Sequence, residues 1–208
     1  MITIPTTFTS KTKSLKKEQL GPIGQAALAM LEEKGYTVEI GLTMAFAKDI
    51  QSMALQSSIQ EYCPKDPTER FKDVGTTSHW LSKGKAVFLL CKREEDKKQR
   101  LAGYGWVGPK ISSHVPKGQN TFGLRIGEAD QGLGLAAPYT RVMLDAAIQL
   151  FGCQQLWLES WASNGGAIHT YEKLGFTKVL EESDKRLRPN NESVIDIRIY
   201  MQLIGELS

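Results

Sequence analysis

The sequence predicts an α/β domain built on one mixed, largely antiparallel sheet. Two patterns support this fold class. In the middle of the chain, strand-like apolar runs alternate with stretches that have apolar residues at helical spacing, whereas the ends have the pattern of hairpins. The chain has 208 residues, 41% of them hydrophobic, which suits one domain with a substantial buried core. Helices and strands mixed in this way pack as layers on a sheet.

The elements of the first half are predicted from boundary residues and periodicity. Residues 1–20 are polar and rich in Ser, Thr and Lys, and we expect an extension or loop there. Pro22 suits the first turn of a helix that ends at Gly35, because the N–H it lacks is not needed there. The further predicted elements are a strand (36–43), a helix (45–59), a break (63–67), a helix (68–83), a strand (86–91), a charged hairpin turn (93–98) and a strand (100–107).

The second half begins with a predicted loop over residues 108–120. The pattern then predicts a strand (121–126), a glycine-rich junction, a helix (137–151), a strand (156–161), a helix with Asn164 as its N-cap and Gly175 as its end, and two extended runs (176–180 and 194–203). The polar stretch 181–193 contains Pro189, and we expect it to connect the two extended runs.

The glycine-rich junction is the first candidate binding site. Glycines between a strand and a helix allow a ligand to approach the backbone and let successive N–H groups point at one spot. The helix adds the positive end of its dipole, so the junction suits a phosphate or pyrophosphate. The alternative interpretation is a turn that only connects two elements. The residues of the junction are Gln131, Gly132, Leu133, Gly134, Leu135 and Ala136.

The spacing of this junction excludes the two commonest phosphate-binding loops. The chain has no Gly-x-x-x-x-Gly-Lys-Ser/Thr, so a P-loop nucleotide hydrolase is unsupported. No third glycine follows Gly132 and Gly134, and no acidic residue ends a strand about twenty residues later, so the Rossmann fingerprint also fails.

A second motif lies downstream of the junction. Asn164, Ala167, Tyr171 and Gly175-Phe176 follow one another at fixed helical spacing. Together with Gln131–Ala136, this motif resembles the GCN5-related N-acetyltransferase (GNAT) superfamily, and the resemblance covers about residues 37–203. It implies a mostly antiparallel sheet that splays near its centre to admit acetyl-CoA, and direct transfer of the acetyl group to a primary amine in a ternary complex.

The resemblance also implies roles for individual residues. The junction would hold the pyrophosphate of acetyl-CoA through its N–H groups, with Gln131 beside it, and the preceding strand would lie along the pantetheine arm, where one N–H polarises the thioester carbonyl. Asn164 would cap its helix and bond the pantetheine amide, and Tyr171 would protonate the leaving thiolate. The implied cofactor-binding residues are Leu124, Arg125, Ile126, Gln131, Gly132, Leu133, Gly134, Leu135, Ala136, Asn164 and Tyr171.

Glu159 is the candidate general base. The run Leu156-Trp157-Leu158-Glu159 resembles the bacterial ribosomal-protein alanine N-acetyltransferases, in which a glutamate at this place acts on the amine through water. It lies twelve positions before Tyr171, as in that subfamily. This chain has Ser160-Trp161 where that subfamily usually has Val-Arg, so the resemblance does not establish a peptide substrate. The alternative for Glu159 is a solvated carboxylate at a strand end, and Glu128 is a second candidate base.

Bulk composition limits the other function classes. A net charge of +3 without a clustered basic face does not favour nucleic acid. No stretch is apolar and long enough to cross a bilayer, and the start lacks the pattern of a signal peptide. Three scattered cysteines indicate reduced thiols in a cytoplasmic protein, and three distant histidines give no metal-ligand spacing.

The predicted function is therefore acetyl-CoA-dependent N-acetyl transfer, without a metal, by a domain over residues 37–208 that follows an extension with one helix (1–36). The alternatives are a non-catalytic acyl-CoA-binding protein on the same fold and a structural or nucleic-acid-binding domain. The acceptor stays open among a protein N-terminus, a lysine, a polyamine, an amino acid and an antibiotic amine. Dimers are common in the family, so a homodimer is an assembly to test.

Overall fold

A computed structural model describes residues 7–95, 98–110, 114–116, 119–190 and 192–203. The strands in this part of the chain are β1 (Lys13–Ser14), β2 (Tyr36–Ile40), β3 (Ala86–Arg93), β4 (Gln99–Pro109), β5 (Asn120–Ile126), β6 (Leu156–Trp161), β7 (Phe176–Leu187) and β8 (Ser193–Leu203). The α-helices are α1 (Pro22–Glu33), α2 (Met44–Ala54), α3 (Ser57–Tyr62), α4 (Val74–Leu81), α5 (Ala136–Phe151) and α6 (Gly165–Lys173).

The strands form one sheet in the order β1-β2-β3-β4-β5-β6-β8-β7. Every neighbouring pair is antiparallel except β5 and β6, which are parallel. The predicted α/β fold with a mixed, mostly antiparallel sheet is confirmed. A parallel pair needs a crossover connection, and α5 provides it between β5 and β6.

The sheet opens between its two parallel strands. β5 and β6 pair only at Asn120 with Leu156 and at Thr121 with Trp157, although both strands continue beyond these residues. Residues 123–126 of β5 are accordingly half-buried, in contrast to the buried Thr121 and Phe122. The predicted splay near the centre of the sheet is present, and it leaves a cleft whose walls are the later parts of β5 and β6.

Helices cover both faces of the sheet. One core lies between the sheet and α1, α5 and α6, and includes Leu28, Tyr139 and Met143. The second core lies between the sheet and α2 and α4, and includes Ile50 and Trp80. The helix predicted after Pro22 is confirmed. It packs closely on α5, because a Cβ on Gly24 would come within 2.3 Å of the Asp145 carboxylate. The domain boundary at residue 36 stays a prediction.

Two predicted helices in the first half have different boundaries. The single helix over residues 45–59 is wrong, since Leu55 and the extended Gln56 divide it into α2 and α3. The helix over 68–83 is also wrong at its start. Asp66–Arg70 form a π-helical turn, and α4 begins only after Asp73, whose side chain accepts the Thr76 N–H at 2.7 Å. An N-capping aspartate with a bonded threonine three residues later is a strong helix start.

The largest correction concerns the end of the chain. The predicted polar connection over 181–193 is mostly strand, because β7 continues to Leu187 and pairs with β8 along its whole length. Most of β7 is exposed, so its charged residues do not alternate with apolar ones and the strand signal is hidden. At the other end, β1 pairs with β2, although residues 1–20 were predicted as an extension or loop. The predicted turn 93–98 and the loop 108–120 lie partly outside the described residues.

Candidate active site

The glycine-rich junction lies between β5 and α5, at one end of the cleft. Gly132 and Gly134 have φ angles of 75° and 70°, which side chains with a Cβ rarely adopt. Apart from Gly132 and its two chain neighbours, no heavy atom of the described residues lies within 4 Å of a Cβ built on Gly132, so the space beside the loop is open. The backbone conformation, and not crowding, therefore requires glycine at this position.

Within the described residues, no side chain caps the N-terminus of α5. Leu135 is at the N-cap position, where it makes no side-chain bond, and the first turn has no acidic residue. The first N–H groups of a helix lack intrahelical partners and carry partial positive charge. The Lys34 ammonium also lies against the loop, where it donates to the Leu133 carbonyl at 2.8 Å. The loop, the helix end and this lysine together fit a phosphate group.

Gln131 anchors the loop. Its amide nitrogen donates to the Ile126 carbonyl at 2.9 Å and to the Ser58 hydroxyl at 3.0 Å. The side chain therefore joins the loop to the end of β5 and to the start of α3. In this arrangement both amide hydrogens are used within the protein, and Lys34 supplies the positive charge that a glutamine lacks.

Glu128 is placed as a cap for α3. Its carboxylate accepts the Ser58 N–H at 3.0 Å, and its own N–H donates to the Gln56 side chain at 2.9 Å. The bond from the Ser58 N–H lowers the pKa of the Glu128 carboxyl. These contacts hold α3 against the glycine loop.

Leu124, Arg125 and Ile126 form one wall of the cleft. Leu124 and Ile126 pack against the core on the α5 side, and the Arg125 side chain extends to the opposite face. On the side of β6 these residues lie beyond the last paired position, Thr121. Their backbone groups that face the cleft therefore have no partner strand, which is the situation in which a ligand can complete the ladder.

Tyr171 projects from α6 toward the start of the cleft. Its ring packs edge-on against Phe122 of β5 at 5.6 Å and Phe176 of β7 at 6.1 Å. The hydroxyl makes no hydrogen bond within the described part of the chain. Burial raises the pKa of Tyr171 to about 12, although the nearby Arg125 opposes the shift. The phenol therefore keeps its proton at neutral pH and can donate it.

Asn164 occupies its predicted position but not its predicted bond. It precedes α6, and its backbone carbonyl accepts the N–H groups of Ala167 and Ile168 at 3.1 Å. Its side chain, however, makes no capping hydrogen bond. The predicted side-chain cap is wrong because Asn164 has φ −86° and ψ 58°, away from the β-region geometry in which an N-cap side chain reaches the helix. The half-buried amide is left without a partner among the described residues.

Glu159 lies on β6 between two cations. One carboxylate oxygen contacts the Lys110 ammonium, and the other accepts from Arg198 of β8 at 3.0 Å. Arg198 also bonds Asp184 at 2.9 Å and lies 4.1 Å from the centre of the Trp161 ring. The Glu159 side chain is 13% exposed, so it is not the freely solvated strand-end carboxylate that was the alternative.

A buried ionic network lies next to this site, and sequence reasoning missed it. Asp66 is fully buried and accepts from Arg70 at 2.6 Å, from Arg125 at 2.9 Å and from the Tyr104 hydroxyl at 2.8 Å. Burial opposes its charge, but the two arginines keep the pKa of Asp66 below its usual value. Asp66 lies in the sequence break Cys63–Pro67, where an aspartate before proline indicates only a turn.

The end of α3 is bound to the other wall of the cleft. Trp161 donates to the Tyr62 carbonyl at 3.1 Å, and Tyr62 donates to the Ser163 carbonyl at 3.4 Å. Arg186 of β7, only 6% exposed, joins Glu61 of α3 to Asp196 of β8. Since the start of α3 is bound to Gln131 and Glu128, this short helix bridges the mouth of the cleft. Arg186 was missed because the second part of β7 was predicted as a polar connection.

Comparison with known proteins shows the family of this chain. The family model described as the acetyltransferase (GNAT) domain matches residues 41–177. The chain belongs to the GNAT acetyltransferase family. The predicted resemblance is thus confirmed, and the protein is an N-acetyltransferase of the family that uses acetyl-CoA. A comparison with curated proteins finds no match.

Solved structures share the fold. Spermidine N-acetyltransferase from Vibrio cholerae, solved with CoA and spermine, is 20% identical, with a TM-score of 0.63 over 82% of this chain and 96% of that chain. Ribosomal-protein-S5-alanine acetyltransferase from Vibrio fischeri is 15% identical, with a TM-score of 0.64 over 83% of this chain and 94% of that chain. At this level of identity, the likeness concerns the GNAT fold and leaves the acceptor open.

Two absences hold for the described residues only. Within them no group of three or more His, Cys, Asp or Glu side chains is arranged to hold a metal ion. In the same residues of this GNAT protein, no helix is both apolar and long enough to cross a membrane.

Proposed function

We propose that this GNAT protein transfers the acetyl group of acetyl-CoA to a primary amine by direct attack in a ternary complex. The observation that carries the proposal is that the glycine loop and Tyr171 lie along the same strand. The loop follows Ile126 at one end of the exposed edge of β5, and Tyr171 packs on Phe122 at the other. The four residues between them span about 13 Å of strand. A ligand that reaches both must be elongated, with an anionic group at one end.

The cleft residues then have distinct roles in holding the donor. The N–H groups of the glycine loop and of the start of α5 bind the pyrophosphate, with Lys34 as a supporting charge. The free amide of Asn164 bonds the pantetheine arm, and one N–H from Leu124–Ile126 polarises the thioester carbonyl. Gln131 acts on the donor indirectly, because it fixes the loop to β5 and α3.

Two side chains handle protons. Bound acetyl-CoA supplies an electrophilic thioester carbonyl and a thiolate leaving group. Tyr171 donates its phenolic proton to the departing sulfur, and Glu159 accepts the proton of the amine through water. The ion pairs of Glu159 with Lys110 and Arg198 hold its carboxylate in position. We also propose a cytoplasmic location, because Cys63, Cys91 and Cys153 are free thiols. Assembly as a homodimer is a separate proposal.

Gly134→Val tests the donor site. Valine rarely adopts a positive φ, so the loop is expected to leave its conformation and the N–H groups to lose their common focus. We expect calorimetry to show acetyl-CoA binding by the wild type and at least about tenfold weaker binding by the variant, a change of about 1.4 kcal/mol.

Gly84→Val is the matched control for this experiment. Gly84 has a φ of 78°, and its nearest neighbours are side-chain atoms of Pro109, 3.6 Å from the added Cβ. Both variants should lose stability, but only Gly134→Val should lose affinity. Equal acetyl-CoA binding by Gly134→Val and Gly84→Val, or no binding by the wild type, would contradict the proposed donor site.

Glu159→Gln tests the general base. The amide keeps the shape of the side chain but cannot accept the proton, so kcat is expected to fall about 100-fold. The Kd of acetyl-CoA should not change, and the KM of the acceptor should stay within about threefold. Release of the free CoA thiol gives kcat and the KM of the acceptor, and calorimetry gives the Kd of acetyl-CoA. A raised acceptor KM with unchanged kcat would instead make Glu159 a residue that binds the acceptor or orients Lys110 and Arg198.

A further inference from the structure

Two cations, Lys110 and Arg198, contact Glu159, and further cations lie near them. Lys110 contacts Glu159, and Lys85 donates to the carbonyl of Pro109, the residue before Lys110. Arg70 lies 5.1 Å from the centre of the Trp106 ring on β4, the strand that ends at Pro109, and its charge lowers the pKa of both lysines. We define the cationic cluster as Arg70, Lys85, Lys110, Arg125 and Arg198.

The carboxylates in contact with this cluster do not balance its charge. Within the described residues they are Asp66, shared by Arg70 and Arg125; Glu159, shared by Lys110 and Arg198; and Asp184, which bonds Arg198. Five cations thus face three carboxylates, an excess of two positive charges. Within the described residues, the Lys85 ammonium has only a carbonyl oxygen as acceptor.

This excess lies in a place where charge is unfavourable. Lys85 is only 6% exposed, and a buried ammonium is costly unless an anion accompanies it. Burial, with the charges of Arg70 and Lys83, lowers the pKa of Lys85 to about 8. Lys110 and Arg70 are more accessible, with side chains 36% and 26% exposed. An anion that approached these two groups would offset the repulsion within the cluster.

We propose that the amine acceptor carries an anionic group, a carboxylate or a phosphate, which binds to Lys110, Lys85 and Arg70 beside Glu159. This inference rests on the proposed function, because it takes Glu159 to mark the place of the amine. The amine approaches the carboxylate of Glu159 while the anion of the same molecule meets the cations around it. The cluster would repel a polyamine, so the acceptor class differs from that named for the spermidine N-acetyltransferase, which has a similar fold.

The test compares amines that differ only in the anionic group. The pairs are tyrosine with tyramine, histidine with histamine, and O-phosphoethanolamine with ethanolamine, and spermidine represents polycations. Thiol release gives kcat/KM for each acceptor at saturating acetyl-CoA. The anionic member of a pair is expected to be favoured at least about tenfold, the usual effect of one charge-assisted contact. Equal or faster turnover of the partners that lack the anionic group, or of spermidine, would overturn the proposal.

Lys110→Gln and Lys178→Gln connect the preference to the cluster. Lys110→Gln should reduce the ratio of kcat/KM within a pair about tenfold. Lys178 lies on β7, with its side chain 55% exposed and paired with Glu181, and its substitution should leave the ratio unchanged. An unchanged ratio in Lys110→Gln would refute the assignment of the anion to this cluster.

A second measurement separates this inference from the proposed function. If acetyl-CoA binds but no acceptor in the panel reacts, saturation-transfer NMR with succinate is run on the CoA-bound protein, whose phosphate loop is filled. Binding that Lys110→Gln weakens and Lys178→Gln does not would support an anion site; absence of binding would overturn it. If acetyl-CoA does not bind, the proposed function is wrong. The same succinate titration, on the free protein and on both variants, then tests the anion site independently.

Discussion

Tyr171→Phe is expected to lower kcat at least about 100-fold, with the Kd of acetyl-CoA within about twofold of the wild type. The substitution removes the hydroxyl and keeps the ring, so the edge-on contacts with Phe122 and Phe176 remain. The leaving thiolate then has no positioned proton donor. Because burial raises the pKa of Tyr171 to about 12, the phenol is protonated throughout the range of a pH–rate profile. Loss of the hydroxyl should lower kcat at every pH. It should not shift any pKa seen in the pH–rate profile below about pH 10. Thiol release measures kcat, and calorimetry measures the Kd.

Tyr62→Phe is the control for Tyr171→Phe. Tyr62 also lies at the cleft, but its hydroxyl makes a single 3.4 Å bond to the Ser163 carbonyl. Removing that hydroxyl should change kcat by less than about threefold, since a long bond at an exposed site contributes little. An equal effect of the two substitutions would contradict the role of Tyr171 as the general acid. Binding of acetyl-CoA without turnover of any amine would favour the alternative of a non-catalytic acyl-CoA-binding protein on this fold.

Asp66→Asn is expected to lower the free energy of unfolding by about 3–5 kcal/mol, because it leaves a buried arginine without its counter-charge. Arg125 has a side chain only 14% exposed, and its Nε bonds the Asp66 carboxylate at 2.9 Å. Arg70 and Tyr104 bond the same carboxylate. Urea denaturation followed by tryptophan fluorescence measures the loss, since Trp80 and Trp106 lie in the core next to this network.

Asp184→Asn provides the surface comparison for Asp66→Asn. Its ion pair with Arg198 has the same length, 2.9 Å, but the Asp184 side chain is 41% exposed, so the loss should stay below about 1 kcal/mol. The pKa of Asp66 is lowered in the folded protein, so its charge stabilises the fold above the unfolded pKa of about 4. The difference between the wild type and Asp66→Asn should therefore shrink as the pH falls below about 4. A pH-independent loss, or one no larger than that of Asp184→Asn, would contradict a buried ionic role.

Much of the donor site could be predicted because its signals are local. The positive φ angles of Gly132 and Gly134 require glycine whatever packs around them. Tyr171 lies seven positions after Asn164, so both belong to one helix that begins after a strand. These patterns led to the GNAT family, and the splayed sheet followed from the resemblance. The cap of Asn164 was wrong because capping depends on two dihedral angles, and residue identity constrains these only weakly.

The acceptor side could not be predicted in the same way. Asp66, Lys110 and Arg186 lie far apart in the sequence, each in a segment interpreted as a break or a loop. The long hairpin of β7 and β8 was missed because its first strand is solvated and lacks the apolar alternation that reports burial. Without that strand, the contacts of Arg186 with Glu61 and Asp196 could not be predicted. The role of α3 in bridging the cleft could not be predicted either.

The sequence was therefore sufficient for the family, the sheet type, the phosphate-binding loop and the tyrosine, since each depends on backbone conformation or spacing within one segment. Only the folded chain showed that Glu159 lies between Lys110 and Arg198 and that excess positive charge gathers around it. The reason is physical: charges interact across space with little regard to sequence distance. Which carboxylate pairs with which cation depends on how strands from distant parts of the chain pair in one sheet.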